Sequence, residues 1–206
     1  MKTIKVWDLF VRIFHWSLVS AVILQLITAE NFNSLHVTTG YVIVVLLILR
    51  VIWGFLGSRH ARFKDFIYPP ADIFGYLKDL FRGRAKHYDG HNPAGGAMVC
   101  FLLLVLGMVT LTGLLTYGAE GKGPLALKAP GLVKIASADD NKDDDKDHHD
   151  HEGAGAKDHF WKEIHESLVS VLIFLACLHI AGVLASSYVH KENLILAMIT
   201  GYKKFI

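Results

Sequence analysis

Cysteine is scarce in this sequence, and the positions of the few that occur disfavour several kinds of site. The chain has 206 residues and only two cysteines. Cys100 and Cys177 both lie inside apolar stretches, and neither belongs to a C-x-x-C or C-x-x-C-H pattern. A disulfide scaffold, a zinc ribbon and a covalently attached c-type haem are therefore disfavoured.

Charged residues are few in four long apolar stretches. Hydrophobic residues make up 52% of the sequence, and its mean hydropathy is +0.37. A helix needs about 20 apolar residues to cross a bilayer. Four stretches approach or exceed that length, near 13–30, 35–56, 95–117 and 164–188. They predict one membrane domain over residues 1–206, with an all-α fold: an integral membrane four-helix bundle of up-down-up-down topology.

Lysine and arginine are absent from the first predicted turn, residues 30–34. They are frequent at both termini and in the loop after the second apolar stretch. Because basic residues mark the cytoplasmic side of a membrane protein, these three segments are expected on that side. We therefore expect a multi-pass protein of the bacterial inner (cytoplasmic) membrane with both termini cytoplasmic.

The two longer connections differ in character. Residues 57–94 form the predicted cytoplasmic loop, and helical apolar spacing after Pro69 and Pro70 predicts an interfacial helix within it. Residues 118–160 form the predicted periplasmic loop, which contains an Asp/His-rich run too polar to bury a core. Four histidines lie in or near that run: His148, His149, His151 and His159. They can bind a divalent metal, although their irregular spacing favours a solvated acidic loop.

Four histidines lie in or at the edge of the apolar stretches: His15, His36, His165 and His179. An ionisable side chain in a membrane helix is costly and usually faces the interior of the bundle. His165 and His179 are 14 residues apart on one predicted helix. This spacing corresponds to about 21 Å along the axis and about 40° around it. The two imidazoles are therefore expected on one face at opposite membrane depths.

The predicted directions of the helices allow two facing pairs of histidines. His15 shares the inner depth with His179, and His36 shares the outer depth with His165. Each pair can supply both axial nitrogens to a haem iron, which favours electron transfer over oxygen chemistry. We therefore expect the bundle to enclose two non-covalent b-type haems, with these four histidines as the metal ligands. A single intramembrane histidine can equally be a structural hydrogen-bonding residue.

Two arginines are candidate partners for haem propionates. Arg50 lies 14 residues after His36 and is expected at the depth of the inner haem. Arg12 lies about one turn before His15. A guanidinium pairs well with a carboxylate, but both arginines can instead be positive-inside anchors.

Five segments of the chain carry a family resemblance: RIFHW at 12–16, HVTTG at 36–40, RVIWG at 50–54, GHNPAGG at 90–96, and WKEIHESL followed by LH at 178–179. In these segments and their order, the sequence resembles the bacterial di-haem cytochrome b family, which includes cytochrome b-561 and the b-type cytochrome subunits of nickel-iron hydrogenases. The resemblance implies haem ligation by the four histidines and a quinone reaction near one haem.

His91 belongs to one of these segments and is predicted to contact a propionate or the quinone. Capping of the next helix by His91 and Asn92 is the plain alternative. We expect the protein to exchange electrons between quinone and a periplasmic c-type cytochrome or oxidoreductase subunit. Membrane lipid is an expected partner and nucleic acid is not.

Two other functions compete with this hypothesis. The chain can be a metal-handling membrane transporter or sensor that uses its intramembrane histidines and the Asp/His-rich loop. It can also be a standalone enzyme that oxidises superoxide and reduces quinone. A haem spectrum distinguishes the first alternative, and turnover without a protein partner distinguishes the second.

Overall fold

A computed structural model of the chain describes residues 2–30, 33–126 and 152–205, with the side chains of 3–30, 33–126 and 159–203. His148, His149 and His151 of the Asp/His-rich loop lie outside the described residues. The elements in chain order are β1 Lys2–Lys5, α1 Leu9–Thr28, α2 Asn33–Leu56, a 3-10 turn Phe63–Asp65, α3 Pro70–Phe81, α4 Pro93–Ala119, α5 Glu152–His190, α6 Leu194–Thr200 and β2 Tyr202–Phe205.

Among the described residues, four helices are long and apolar enough to cross a membrane: α1, α2, α4 and the His159–His190 part of α5. All four begin earlier than the sequence predicts, and α4 and α5 also end later. At the start of α1, Asp8 accepts a hydrogen bond from the backbone nitrogen of Val11 at 2.8 Å. An acidic side chain in this position satisfies a backbone donor that the helix leaves unpaired, so the helix begins at Leu9.

The start of α5 differs from the sequence prediction. The sequence predicts residues 152–160 as part of the periplasmic loop, but α5 already begins at Glu152. Side chains one helical turn apart support the polar part of this helix: His159 lies 3.4 Å from Glu163, and Lys162 lies 3.9 Å from Glu166. Such pairs can stabilise a helix that buries no apolar face. A polar helix of this kind leaves no signal in the hydropathy pattern.

The prediction of an all-α fold misses a small sheet. Strands β1 and β2 pair antiparallel, with Lys2 opposite Phe205 and Lys5 opposite Tyr202. Two further hydrogen bonds join the chain next to the sheet: the backbone nitrogens of Val6 and Trp7 donate to the oxygen of Gly201 at 2.9 and 3.1 Å. Each strand has only four residues and its partner lies at the other end of the chain. Local sequence patterns carry no signal for such a pairing.

The chain divides into two compact units, Met1–Leu104 with Leu172–Ile206 and Val105–Val171. In the first unit α1 packs on α2. Gly40 permits a close approach there, since a Cβ atom at this position would lie 3.2 Å from Nε2 of Gln25. The second unit contains the end of α4 and the start of the spanning part of α5, which meet at Gly113 and His165.

Helix α3 lies in the loop where the sequence predicts an interfacial helix. Pro70 occupies its first turn, where a missing backbone N–H costs nothing. Tyr76 is buried, whereas Phe74 and Phe81 on another face are 71% and 88% exposed. The Tyr76 hydroxyl lies 3.2 Å from Nε2 of His190 at the end of α5. This contact joins the buried face of α3 to the end of α5 within the first unit.

Candidate functional site

His15 and His179 lie in the same compact unit, on α1 and α5. The two side chains are close enough for a charge on one to be felt at the other. His15 is partly buried, and its Nδ1 atom has no hydrogen-bond partner among the described residues. A buried ring nitrogen of this kind is costly unless it binds a further group.

His36 lies near the start of α2, and its Nδ1 atom lies 3.2 Å from the backbone oxygen of Gln25 in α1. The carbonyl accepts a hydrogen bond when Nδ1 carries the proton. The lone pair of the neutral imidazole is then on Nε2, the ring nitrogen that can coordinate a metal.

His165 has the same kind of contact in the second unit. Its Nδ1 atom lies 3.0 Å from the backbone oxygen of Val109 and 3.3 Å from the hydroxyl of Thr112. The ring packs against Gly113, where a Cβ atom would lie 3.1 Å from Cε1 of the imidazole. The position and tautomer of His165 are therefore set by one turn of α4.

Arg50, one of the two candidate partners for a haem propionate, is buried. It is only 3% exposed, and its guanidinium carbon lies 5.2 Å from the ring centre of Phe63 and 5.8 Å from that of Phe66. Its Nη1 atom has no hydrogen-bond partner among the described residues. Positive-inside anchoring by snorkelling would leave the head group in water. The burial of Arg50 instead calls for an anionic partner.

Arg12 has a different environment. Its Nη2 atom donates to the backbone oxygen of Ile199 near the end of α6, and its side chain also contacts Gly201. A cation at the last carbonyls of a helix offsets the negative end of the helix dipole. The structure thus gives Arg12 a role in holding the C-terminal segment. Its Nε atom is buried without a partner among the described residues.

His91 lies between two aromatic rings, with centroids 4.6 Å from Trp7 and 4.8 Å from Phe66. Burial, together with the positive charge of Arg50, lowers the pKa of His91 to about 3. The imidazole is therefore neutral at physiological pH. Its Nδ1 atom is inaccessible to solvent and has no hydrogen-bond partner within the described part of the chain.

Asn92, rather than His91, caps α4. Its side-chain oxygen accepts from the backbone nitrogen of Gly95 at 2.7 Å, and its amide nitrogen lies 3.5 Å from Oγ of Ser186 on α5. The capping alternative is thus correct for Asn92. The His91 side chain packs against Trp7 and Phe66 instead.

Asp8 is a structural residue of this region that the sequence analysis missed. Its carboxylate accepts hydrogen bonds from Val11 at 2.8 Å, Trp53 at 3.1 Å and Ser58 at 2.5 Å. The signal that could have found it is an acidic residue directly before an apolar run, which is typical of a helix cap.

The metal-handling alternative gains no support from the described ranges of the chain. Across residues 2–30, 33–126 and 152–205, no group of three or more His, Cys, Asp or Glu side chains is arranged to hold a metal ion. His159, the described histidine nearest to the Asp/His-rich run, lies 3.4 Å from Glu163 on its own helix.

Comparisons with known proteins agree on one family. The family described as prokaryotic cytochrome b561 matches residues 6–201 of the chain. A probable Ni/Fe-hydrogenase B-type cytochrome subunit of Bradyrhizobium diazoefficiens is 23% identical in an alignment of 233 residues, gaps included. The alignment covers 98% of this chain and 87% of the relative. The protein of the same description from Rhodobacter capsulatus is 23% identical over 235 residues, covering 98% and 82%.

A shorter but more similar match covers less of the chain. The probable Ni/Fe-hydrogenase B-type cytochrome subunit of Azotobacter vinelandii is 34% identical over 98 residues, 43% of this chain and 40% of the relative. No solved structure matches the chain.

Proposed function

Since the chain belongs to the prokaryotic cytochrome b561 family, we propose that this multi-pass membrane protein transfers electrons between a partner oxidoreductase and the quinone pool through two haems b. Membrane electron transfer and a haem b cofactor follow from the family. The number of haems, their ligands, the quinone and the partner are the proposal. The orientation in the inner membrane, with both termini cytoplasmic, is part of it.

The proposal rests chiefly on the contacts of His36 and His165. In each case Nδ1 lies within hydrogen-bond distance of a backbone oxygen, that of Gln25 or Val109. Histidines that ligate a metal commonly donate their other ring N–H to a carbonyl, which fixes the tautomer and the orientation of the ring. Each of these two predicted ligands has this arrangement in its own unit, which supports a role for each in holding a haem.

The inner ligands are proposed to be His15 and His179. The buried Nδ1 atom of His15 has no partner within the described residues, so a further group at this imidazole would offset the cost of its burial. Both side chains lie in one compact unit and interact electrostatically. These residues therefore fit a bis-imidazole site.

Arg50 is proposed to neutralise a propionate of the inner haem. Its buried Nη1 atom is without a partner in the part of the chain that the structure describes, and it lies near enough to His91 to lower the pKa of that imidazole. A guanidinium satisfies a carboxylate with two parallel hydrogen bonds, which a buried arginine needs. Arg12 is a second candidate through its Nε atom, although its Nη2 atom is engaged by Ile199.

The positions of the two histidines on α5 suit transfer across the membrane. His165 and His179 are 14 residues apart on one continuous helix, which corresponds to about 21 Å along the axis. Haem b supplies one-electron redox chemistry when bound. The protein residues hold the two groups at different depths, exclude water from them and balance their charge. Two such groups can together cover a hydrocarbon layer of about 30 Å.

The relatives point to the class of partner. Those compared are described as probable Ni/Fe-hydrogenase B-type cytochrome subunits. We infer that this chain likewise receives electrons from, or passes them to, a membrane-associated oxidoreductase or a periplasmic c-type cytochrome. The quinone is proposed to react beside His91, because the N–H of this neutral, buried imidazole can donate a hydrogen bond to a quinone carbonyl oxygen.

Haem quantification and quinone kinetics test this proposal together. The purified protein is expected to contain two haems b per chain and to give a reduced-minus-oxidised b-type spectrum. When the reduced protein is mixed anaerobically with a short-chain quinone, its haems are expected to become oxidised. One haem per chain would contradict the two-site account, and haems that stay reduced in excess quinone would contradict the quinone reaction. Reduction by superoxide without a partner protein would favour the standalone enzyme instead.

A further inference from the structure

A group of acid-base side chains lies outside the proposed haem ligands, at the end of α5 and the C-terminal strand. We name it the Glu192 cluster, and its members are Tyr76, His87, His190, Glu192 and Lys203. The Glu192 carboxylate lies 3.5 Å from Nζ of Lys203 and 3.2 Å from Nε2 of His87. The rings of His87 and His190 meet edge to face at 5.4 Å, and the Tyr76 hydroxyl lies 3.2 Å from Nε2 of His190.

The ion pair in the cluster is almost completely buried. The side chains of Glu192 and Lys203 are only 5% and 6% exposed. Burial lowers the pKa of Lys203, and the charge and hydrogen bond of Glu192 act in the opposite direction. Removing two charges from water costs free energy that their attraction only partly offsets, so a buried pair is a poor device for stability alone. The burial of this pair therefore points to a second use.

One end of the cluster reaches water. The side chain of His87 is 35% exposed and contacts the buried Glu192. A histidine ring has two nitrogens, one of which can donate a proton while the other accepts one, so it can relay a proton. His87 therefore links the buried carboxylate to solvent.

The other end approaches the pocket of His91. Nζ of Lys203 donates to the backbone oxygen of Tyr88 at 2.9 Å, three residues before His91 in the sequence. The charge of Lys203 is also felt at His91 and at His60. Lys203 thus contacts both Glu192 and the loop segment that leads to His91.

We propose that the Glu192 cluster carries protons between the aqueous phase and the quinone bound beside His91. Reduction of one quinone to quinol takes two electrons, delivered singly through the cytochrome from its oxidoreductase partner, and two protons from water. The cluster supplies the protons, passing from His87 through Glu192 to Lys203, and the reverse path serves quinol oxidation. Chains of acidic residues and histidines perform such transfers in other membrane proteins. This inference rests on the proposed quinone reaction.

The substitution Glu192→Gln tests the route, because glutamine retains the shape of the side chain but cannot exchange a proton. Haem-loaded wild type and variant are reduced anaerobically, mixed with a short-chain quinone, and followed by stopped-flow absorbance from pH 6 to pH 9. We expect the variant to be at least about a hundredfold slower, the lower end of general acid-base contributions. We also expect added formate or azide to restore part of the rate. A merely structural role of Glu192 would not produce rescue by small acids.

Two further variants keep the test decisive if Glu192→Gln folds poorly. His87→Gln alters only the water-facing end and is also expected to slow the reaction. Asp65→Asn serves as the matched control, because it breaks the 3.4 Å ion pair with Arg62 in the same loop but outside the cluster. Its rate is expected to equal that of the wild type.

The outcomes separate this inference from the function on which it rests. Wild-type rates in both Glu192→Gln and His87→Gln would overturn the proton route and leave the quinone reaction standing. Wild-type haems that quinone does not oxidise would overturn both. Slowing of Asp65→Asn to the same degree would also contradict the route, since any disturbance of the loop would then have the same effect.

Discussion

The Nδ1 atom of His165 lies 3.0 Å from the backbone oxygen of Val109, and the same imidazole rests on Gly113 one turn further along α4. The carbonyl selects the tautomer, and the glycine leaves room for the ring. One turn of α4 thereby positions a proposed ligand on α5. This relationship makes the proposed outer haem site sensitive to single atoms on α4, a helix to which the proposal assigns no ligand.

Gly113→Ala is expected to weaken binding of the outer haem by about tenfold, the lower end of effects seen when the support of a ligand is disturbed. The added Cβ atom would lie 3.1 Å from Cε1 and 3.3 Å from Nδ1 of His165, so the ring must move. Haem titration of the apoprotein measures the loss.

Gly107→Ala is the matched control for this substitution. It lies on the same helix, and an added Cβ atom would meet no described atom within 4 Å. Alanine favours a helix over glycine by about 1 kcal/mol in both cases, so helix propensity cannot explain a difference. Equal haem affinity in the two variants would contradict the proposed support of His165 by α4.

Arg50→Met is expected to lower the midpoint potential of the inner haem. Loss of a buried positive charge stabilises the oxidised, more positive iron relative to the reduced iron. An interaction of about 1 kcal/mol corresponds to a shift of roughly 40 mV for a one-electron couple. Spectroscopic redox titration of both haems measures it.

Arg84→Met is the control for that experiment, because Arg84 lies in the connection that follows α2 and is exposed. Its removal is expected to leave both potentials within error of the wild type, and Arg50→Lys is expected to retain most of the wild-type potential. An unchanged inner potential in Arg50→Met would exclude the arginine as a propionate partner.

Asp8→Ala is expected to destabilise the protein by about 1 kcal/mol, a usual cost for the loss of a helix cap. Burial raises the pKa of Asp8, but hydrogen bonds from Ser58, Val11 and Trp53 outweigh it and hold the pKa below its usual value. The stabilisation is therefore complete above an unfolded-state pKa of about 3.9 and is lost as the pH falls through the lower folded value. Thermal unfolding between pH 3 and pH 7 measures both effects. Equal stability of variant and wild type at pH 7 would show that the cap contributes nothing.

The sequence predicted the membrane helices well because their signal is local. Hydropathy over about 20 residues is a property of each segment by itself, and the described part of the chain contains four helices of the required length. The pairing of Lys2–Lys5 with Tyr202–Phe205 depends on contacts across the whole chain, so no local pattern reveals it. The polar start of α5 at Glu152 was missed because composition hides a helix that has no apolar face.

The residues of the candidate site stay predictions from the sequence, and the structure adds the contacts that surround them. The 14-residue spacing of His165 and His179 predicts that they share one face of one helix. The carbonyl contacts of His36 and His165 were not predictable, because they depend on how one helix packs against another. Arg12 shows the same limit: its position next to His15 suggested a propionate, whereas the structure places its Nη2 atom on the carbonyl of Ile199.

Haem content in four single variants tests the central claim most directly: His15→Ala, His36→Ala, His165→Ala and His179→Ala. We expect each to retain one haem. The loss in His15→Ala and His179→Ala should affect the same spectral component, and the loss in His36→Ala and His165→Ala should affect the other. Four variants that each retain both haems, or losses that group the histidines differently, would contradict the account.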